Sequence, residues 1–223
     1  MAFSRFMRIN LAFWGLLLFL GCTHTFPLDL AQRLGKEPLY VEGIPFYPQK
    51  KYQCGPASLA AVLNYWGQTL SPEQIAQAIY LPRLKGSLSL DLWRYARDQG
   101  FDARMKEGSL EELQAHLARK QPVIAFLNRG FTFFPIGHFL VVVGLDPEQQ
   151  AVIAYSGIEK DKRIPYKKFL ADWKKTEYWS LVITPKDGPA SGLARDGRGV
   201  GASEDTSLPQ PHGPPHKMIK AHD

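Results

Sequence analysis

The sequence predicts an α+β domain, in which helices come first and a mostly antiparallel sheet follows. Three observations lead to this fold class. Between residues 54 and 120, apolar residues recur at helical spacing, and helix-capping residues precede them. After residue 121, short runs rich in branched and aromatic residues indicate strands. The segment DPEQQ at 146–150 has the composition of a turn, so the strands on its two sides are expected to pair antiparallel.

The first predicted helix begins at Pro56, because the first helical position does not need the N–H that proline lacks. Gly67 follows the last apolar residue and is expected to end the helix. This start puts Cys54 at the N-cap or just before it. The apolar residues at helical spacing are Leu59, Val62, Leu63 and Trp66.

Three more helices are predicted from the residues at their ends. SPEQIAQAI has Ser71 as its cap and Gln74 to close a capping box. SLDLWRYARDQG is expected to end at Gly100. SLEELQAHLARK has Ser109 and Glu112 as its capping box.

The predicted strands occupy the second half of the domain, and a short helix, YKKFLADWKK, stands before the last of them. Each strand is short and rich in branched or aromatic residues. The strands are PVIAFL at 122–127, HFLVVVGL at 138–145, AVIAYS at 151–156 and YWSLVIT at 178–184.

The chain begins like a secreted protein. Arg5 and Arg8 precede an uncharged run at 11–21, which is the layout of a signal peptide. As a helix this run would rise about 16 Å, roughly half of a bilayer core, so a membrane-spanning helix is disfavoured. We therefore expect a signal peptide at 1–21.

The end of that run, FLGC, resembles the lipobox of bacterial lipoproteins, in which the cysteine becomes the lipid-bearing N-terminus. The resemblance implies lipidation of Cys22 and a lipid-anchored linker at 22–40. Thr23 stands where a signal for retention in the inner membrane would usually be Asp. The resemblance therefore implies a periplasmic protein on the inner leaflet of the outer membrane. An ordinary cleaved signal is the alternative.

The other end has the composition of a disordered tail. Residues 187–223 contain six Gly, five Pro and no aromatic residue, so they cannot bury enough apolar surface to offset the entropy of ordering. The folded domain is expected at 41–186.

The net charge of the chain is +6, but its basic residues alternate with acidic ones. Runs such as KDKR at 160–163 are typical of a solvated face. We expect the protein to be a monomer and to have no nucleic-acid partner.

The number of cysteine and histidine residues limits which kinds of metal or catalytic site the domain can form. The chain has two Cys, and lipidation of Cys22 would leave Cys54 without a disulfide partner. Of the six His, only His116 and His138 fall in the predicted domain. One thiol and two imidazoles cannot form a four-ligand structural zinc site, and we expect neither a metal nor a cofactor. They can form a nucleophile and its base.

Cys54 occupies a position that favours an anion. The unpaired N–H groups and the dipole at a helix N-terminus lower the pKa of a thiol there, and the thiolate is the reactive form. A buried, inert Cys is the alternative, but such a residue would need neither Gly55 nor Pro56 after it.

Two segments together resemble a known family. IPFYPQKKYQCGPASLAAVLNYWG at 44–67 and GHFLVVVGLD at 137–146 resemble the bacteriocin-processing cysteine peptidases, cysteine peptidase family thirty-nine, over roughly 41–184. The resemblance implies a papain-like fold. It also implies that Cys54 is the nucleophile, that His138 is the base, and that Gln49 helps to form the oxyanion hole. Gln53 is a nearby competitor for that last role.

The residues themselves also favour His138 over His116 as the base. His138 heads an apolar strand, where a polar side chain needs a partner, and Cys54 is available. His116 flanks the apolar stripe of a helix and reads as a surface or edge residue.

The chain departs from the family pattern at the residue that orients the imidazole. The family has an Asp on the strand after the His, whereas Asp146 lies about 26 Å along the same strand. If residue 145 faces residue 151, residue 140 faces Ser156, which then lies diagonal to His138. Ser156 therefore occupies the place of the missing carboxylate. A backbone carbonyl or Asp161 is the alternative.

These observations predict a lipid-anchored periplasmic cysteine peptidase that acts on a peptide or protein. The aromatic loop at 131–135 is either a wall of the substrate groove or packing under the sheet. A papain-like module that binds peptides and uses Cys54 weakly or not at all is a second hypothesis. An acyltransferase or amidase with the same nucleophile, acting for example on peptidoglycan stem peptides, is a third.

Overall fold

The computed structural model describes residues 37–49, 52–131 and 133–186. The predicted signal peptide, the lipidation site Cys22 and the predicted tail at 187–223 lie outside the described residues. Within the described ranges, no helix is both long enough and apolar enough to cross a membrane.

The fold is α+β, as the sequence predicts. The helices of the described residues are α1 (Cys54–Tyr65), α2 (Pro72–Ile79), α3 (Ser89–Asp98), α4 (Leu110–Ala118) and α5 (Tyr166–Lys174). The strands are β1 (Leu39–Tyr40), β2 (Phe101–Glu107), β3 (Val123–Asn128), β4 (Gly137–Asp146), β5 (Ala151–Ser156), β6 (Glu159–Pro165) and β7 (Trp179–Pro185).

The strands form one antiparallel sheet. Its order is β2-β7-β3-β4-β5-β6, and β1 pairs with the far end of β4. The predicted antiparallel pairing of the two strands around the 146–150 turn is confirmed, because β4 pairs with β5 in that sense. Helix α1 packs against β4 and is buried from Gly55 through Leu63, which explains its small residues and its lack of charge.

The start of α1 differs from the prediction. Gln53 is the N-cap and Cys54 is the first helical residue, so Pro56 is the third. The first intrahelical hydrogen bond runs from the N–H of Ala57 to the carbonyl of Gln53, at 3.1 Å. Every earlier N–H lacks an acceptor within the helix, and Pro56 therefore costs no hydrogen bond at this position.

The other helix ends agree with the sequence, with one exception. Ser71 and Gln74 form the predicted capping box of α2. At α4 the hydroxyl of Ser109 accepts from the N–H of Glu112, but the Glu112 carboxylate pairs with Lys106 on β2 instead of closing the box.

The prediction misses two longer strands, β2 and β6. Strand β2 has the sequence FDARMKE and β6 has the sequence EKDKRIP, and charged residues interrupt both. Strand β6 lies at an edge of the sheet, where charged side chains face water and discourage pairing with another chain. Strand β6 therefore contains no apolar run from which it could be predicted.

A β-bulge in β4 decides which residues face each other across β4 and β5. Beside the turn, Asp146 faces Ala151, so the predicted pairing of residues 145 and 151 is wrong by one. The register then shifts at Val143, and Val141 faces Tyr155. Beyond the bulge the register is the predicted one, and it carries Ser156 toward His138.

Candidate active site

A cavity of about 650 Å³ opens at the N-terminus of α1. Three residues predicted from the sequence line it: Cys54 from the helix, His138 from the start of β4, and Gln49 from the segment before the helix. The fold thus brings together side chains that are far apart in the sequence.

The environment of Cys54 contains two opposing influences on its pKa. Burial raises the pKa of the thiol above its ordinary value. The backbone N–H groups of Phe139, of Gly55 and of Cys54 itself lower it, and so does the charge of Arg129. Burial is the largest of these effects, so the helix N-terminus does not ionise the thiol as the sequence-based argument predicts.

His138 is held by a hydrogen bond from the neighbouring strand. Its Nε2 lies 2.8 Å from the hydroxyl oxygen of Ser156. Burial, which is the largest cause, and the charges of Arg129 and Lys162 together lower the pKa of the imidazole to about 4. The imidazole is therefore neutral at neutral pH. Because Nε2 contacts Ser156, Nδ1 is the ring nitrogen left to take part in proton transfer.

These two environments correct the predicted charge state of the pair. The raised pKa of Cys54 and the lowered pKa of His138 both favour a neutral thiol beside a neutral imidazole. The thiolate–imidazolium pair expected from the sequence is not the favoured resting state. The physical reason is that both groups are largely removed from water, which disfavours each charged form.

Gln49 is attached at two points to the turn that follows Ser156. Its side-chain Oε1 accepts from the N–H of Gly157 at 3.0 Å, and its own N–H donates to the carbonyl of Gly157 at 2.9 Å. The carbonyl end of the amide is thus occupied, which leaves the NH₂ end as a donor. The competitor Gln53 is not among the described residues that line the cavity.

The alternative partners for His138 have other contacts. Asp161 accepts a hydrogen bond from the hydroxyl of Tyr40 at 2.5 Å. Asp146 accepts from the N–H of Gln149 at 3.0 Å and from the guanidinium of Arg163 at 2.6 Å. Of the side chains named from the sequence, Ser156 is the one that is hydrogen-bonded to His138.

His116 lies outside this site. It stands near the end of α4, where its Nδ1 is 2.9 Å from Oε1 of Gln121. This agrees with its interpretation as an edge residue. In the described part of the chain, no group of three or more His, Cys, Asp or Glu side chains is arranged to hold a metal ion.

The aromatic side chains of the loop after β3 are exposed to solvent. Phe131, Phe133 and Phe134 are 80%, 89% and 77% exposed, so the alternative in which they pack under the sheet is wrong. The end of the loop, Pro135 and Ile136, lines the cavity. None of the three Phe residues lines the cavity, so Pro135 is the one described residue of the predicted range that contributes to this wall.

A second wall of the cavity was not predicted from the sequence. It comes from the loop between α2 and α3, where Leu84, Lys85, Ser87 and Leu88 line the cavity. The turn composition of this loop, LPRLKGSL, marks it only as a connection. A weak signal was present in Leu84 and Leu88, which are apolar although the loop between them is short and polar.

The position of this wall explains why a glycine follows Cys54. A Cβ placed on Gly55 would lie 3.1 Å from Cβ of Ser87 and 3.2 Å from Cδ1 of Leu92. The absence of a side chain at residue 55 therefore lets the loop approach the first turn of α1.

Comparison with protein families gives a match along most of the folded domain. The model of the Peptidase C39-like family matches residues 41–181. No curated protein gives a significant match to this chain.

Three solved structures share the fold. A protein from Bacillus anthracis assigned as a C39-like peptidase is 19% identical, with a TM-score of 0.54, and the alignment covers 67% of this chain and 98% of that one. The peptidase domain of Streptococcus ComA, a bi-functional ABC transporter involved in quorum sensing, is 21% identical with a TM-score of 0.54. The alignment covers 65% of this chain and 100% of that domain. A double glycine motif protease from an AMS/PCAT transporter, in complex with its leader peptide, is 24% identical with a TM-score of 0.51, covering 67% and 99%. The fold is thus the papain-like C39 fold.

Proposed function

Because the chain belongs to the Peptidase C39-like family, we propose that it is a cysteine peptidase that cleaves a peptide or protein with Cys54 as nucleophile and His138 as base. One observation carries this proposal: Cys54 and His138 line one cavity, and a hydrogen bond of 2.8 Å to Ser156 orients the imidazole. The neighbour that binds a leader peptide supports a peptide as the substrate class.

The reaction begins from the neutral pair. As the sulfur of Cys54 attacks the carbonyl carbon of the scissile bond, Nδ1 of His138 takes the thiol proton. The C–N bond then breaks, and the imidazolium returns this proton to the leaving amine. Water next attacks the thioester and gives one proton to His138. The carboxylic acid leaves, and the sulfur recovers its proton from the imidazolium.

The tetrahedral intermediate needs donors for its oxyanion. The NH₂ group of Gln49 can supply one, because its carbonyl end is held by Gly157. The backbone N–H of Cys54 is free of an intrahelical acceptor and can supply a second. A single donor of this kind typically lowers the barrier by about 3–4 kcal/mol.

The test compares purified full-length wild-type protein with Cys54→Ser, His138→Ala and the control His116→Ala on a peptide library, with products read by mass spectrometry. We expect cleavage by the wild type and by His116→Ala. In Cys54→Ser and His138→Ala the rate should fall by at least about 1000-fold, as for other residues that act as one catalytic unit. Equal product formation by wild type and Cys54→Ser would contradict the proposal.

A peptide-binding module is the second candidate, and the serine in place of an orienting carboxylate favours it. A hydroxyl cannot balance the charge of an imidazolium, and the charges of Arg129 and Lys162 oppose that cation further. In that case the library would be bound and not cleaved. An acyltransferase would instead yield a product joined to an amine, whereas the peptidase releases a free acid.

The proposal also includes a location. The FLGC segment supports lipidation of Cys22 and attachment, as a monomer, to the inner leaflet of the outer membrane from the periplasm. Mass spectrometry of the mature N-terminus and membrane fractionation of Cys22→Ala test this. Release of Cys22→Ala into the soluble fraction is the expected result, and an unmodified mature Cys22 would contradict it.

A further inference from the structure

We infer that an apolar tip at one end of the sheet docks on the surface of an anionic lipid bilayer. The apolar tip consists of Phe131, Phe133 and Phe134 in the loop after β3, together with Ile158 in the turn after β5. None of these side chains lines the cavity, so the surface is separate from the candidate active site. The inference goes beyond the proposed function and does not depend on the cleavage of peptides.

Both segments of the apolar tip lie at the same end of the sheet. Strands β3 and β4 are antiparallel and Asn128 faces Gly137, so the loop between them projects beyond the start of β4. Strand β5 is antiparallel to β4 and ends at Ser156, whose hydroxyl is hydrogen-bonded to His138 at that same end. The turn that carries Ile158 therefore lies beside the loop that carries the Phe residues.

The exposure of the apolar tip is unusual for a protein surface. Ile158 is 79% exposed, and the Phe side chains are exposed to a similar degree. Soluble proteins rarely group large apolar side chains at one exposed place unless an interaction covers them. At the opposite end of the same strands, the turn at 147–150 reads PEQQ and the connection at 119–122 reads RKQP, without a large apolar residue. The two ends of the sheet are therefore suited to different surroundings.

The loop after β3 is held in shape by hydrogen bonds at its base. The side-chain oxygen of Asn128 accepts from the N–H groups of Gly130 and Ile136, both at 3.0 Å. The ammonium of Lys175, at the end of α5, donates to the carbonyls of Asn128 and Gly130. A Cβ on Gly130 would collide with the carbonyl of Phe134, so the loop also closes tightly on itself. Because the loop is fixed in this way, burial of its Phe side chains costs little entropy.

Two cations flank the apolar tip. Arg129 stands two residues before Phe131, and Lys160 stands two residues after Ile158. Neither cation forms an ion pair with a described residue. The ammonium of Lys160 lies 5.9 Å from the centre of the Tyr155 ring, and this contact leaves its charge uncompensated. Apolar side chains beside free cations match an anionic lipid surface, because the side chains enter the acyl boundary while the cations meet the phosphates.

The acidic residues at this end of the sheet limit the docking face to one part of it. Glu159, next to Ile158, is neutralised by an ion pair with Lys162. Glu107 and Glu177 belong to the ends of β2 and of the segment before β7, which are on the other side of β3 in the strand order. The docking face is therefore the part formed by the ends of β3 to β6.

The length of the chain before the described residues permits this orientation. Strand β1 pairs with the far end of β4, where Leu39 faces Leu145, so the described chain begins at the end opposite the apolar tip. Residues 23–36 can span at most about 50 Å, whereas the strand β4 is about 33 Å long. A chain attached to a membrane at Cys22 can therefore still lay the apolar tip on the same membrane.

A lipid surface fits the apolar tip better than a protein partner does. A protein interface requires a surface of matching shape, whereas a fluid acyl layer adapts to separate side chains that project from two turns. Docking at this face places the start of β4, and with it His138, close to the lipid surface. A second copy of the chain is the other occupant that the experiment distinguishes.

A photo-reactive residue at the apolar tip reports what covers it. In the full-length chain, p-benzoylphenylalanine replaces Phe133 in one sample and Gln149, in the turn at the opposite end, in a second sample. Each chain is mixed with vesicles of equal amounts of phosphatidylethanolamine and phosphatidylglycerol and illuminated, and lipid adducts are quantified by mass spectrometry. We expect at least about fivefold more lipid adducts from position 133 than from position 149. The N-terminal segment is the same in both samples, so it cannot produce this difference.

Matched variants with the photo-reactive residue at position 133 locate the contacts. Phe131→Ser combined with Phe134→Ser should lower the yield of lipid adducts by about tenfold, and Ile158→Ser by about threefold. Met105→Ser should leave the yield unchanged, because Met105 is an exposed apolar residue on β2, outside the apolar tip.

The two cations are tested in the same way. Arg129→Gln and Lys160→Gln should each lower the yield by about fivefold on the vesicles that contain phosphatidylglycerol. Neither substitution should change the yield on vesicles of phosphatidylcholine alone, which carry no net charge.

Three results would overturn the inference. The first is an equal yield of lipid adducts from positions 133 and 149. The second is a yield that survives the combined Phe131→Ser and Phe134→Ser substitutions, or that is the same on anionic and neutral vesicles. The third is cross-linking between two copies of the chain in place of lipid adducts, which would assign the apolar tip to a dimer contact. Peptide cleavage is measured without vesicles, so failure of this inference leaves the proposed peptidase standing.

Discussion

The two sides of the cavity are built in different ways. On the helix side, Cys54 is placed by the start of α1, and a glycine beside it allows one loop to approach. On the sheet side, His138 depends on Ser156, and Gln49 depends on Gly157, which is 108 residues away in the chain. The thiol of Cys54 is thus positioned by local structure and the imidazole of His138 by long-range pairing. The two sides should therefore respond differently to substitution and to pH.

The largest expected effect is a loss of stability in acid that originates on the sheet side. The folded-state pKa of His138, about 4, lies below its ordinary value of 6.5, so the folded chain binds fewer protons than the unfolded chain in this range. The stability contribution is complete above pH 6.5 and is lost as the pH falls through about 4. We expect the free energy of unfolding from this residue to drop by about 3 kcal/mol between pH 7 and pH 4.

Urea unfolding at a series of pH values measures this drop. His138→Gln should lack this component of the pH dependence, whereas His116→Gln, outside the cavity, should retain it. Equal pH dependence in wild type and His138→Gln would show that the imidazole is not held neutral by the fold.

A second effect tests whether Ser156 positions the imidazole. Ser156→Ala removes the hydrogen bond to Nε2, and we expect kcat to fall by roughly 10- to 100-fold with little change in KM, because a misplaced base slows the chemical step. Steady-state kinetics on a cleaved peptide measures this. Ser180→Ala is the control, since Ser180 is another buried strand serine and bonds to the carbonyl of Tyr178. A fall in stability alone, with kcat unchanged, would assign Ser156 a purely structural role.

A third comparison uses one glycine from each side. A Cβ on Gly137, beside His138, would lie 2.7 Å from Cζ of Phe126. That ring also packs against Phe139 at 4.4 Å, so it cannot move away easily. We expect Gly137→Ala to cost about 2 kcal/mol in urea unfolding. Gly55→Ala should cost less than Gly137→Ala, because its shortest contacts are longer, at 3.1 Å and 3.2 Å, and the higher helix propensity of alanine offsets part of the crowding. A larger cost for Gly55→Ala would reverse the comparison.

The smallest effect is expected on the helix side. The hydroxyl of Ser87 is buried and has no hydrogen-bond partner among the described residues. Replacing it with a methyl group should raise the free energy of unfolding by up to about 1 kcal/mol, since an unsatisfied buried hydroxyl is removed. A loss of more than 1 kcal/mol in Ser87→Ala, measured by urea unfolding, would mean that this hydroxyl has a stabilising partner.

The fold class and most elements were predictable because they follow from local patterns. Helix α2 shows its cap in Ser71 and Gln74, and β5 occupies the predicted residues 151–156. Strand β6 was not predictable from an apolar run, because an edge strand faces water and its residues are charged. The one-residue shift at Val143 was not predictable either, because a bulge is decided by packing between strands.

The residues of the candidate site were predictable from the sequence, whereas the charge states of Cys54 and His138 were not. Cys54, His138 and Gln49 were named from motifs, and Ser156 from a register argument whose starting pair was wrong by one residue. The bulge compensates for that error, so the predicted neighbour is present at 2.8 Å. The charge state was wrong, because burial of both groups depends on how the whole domain closes around them.

The sequence by itself determined the helix-then-sheet order, the family pattern and the residue types of the site, because these depend on composition and on neighbours a few positions apart. Only the tertiary structure decided that the thiol and imidazole rest in their neutral forms, that Gln49 is held by Gly157, and that Lys85 faces the cavity. Those properties depend on distance from water and on contacts between distant segments, which a linear pattern does not record.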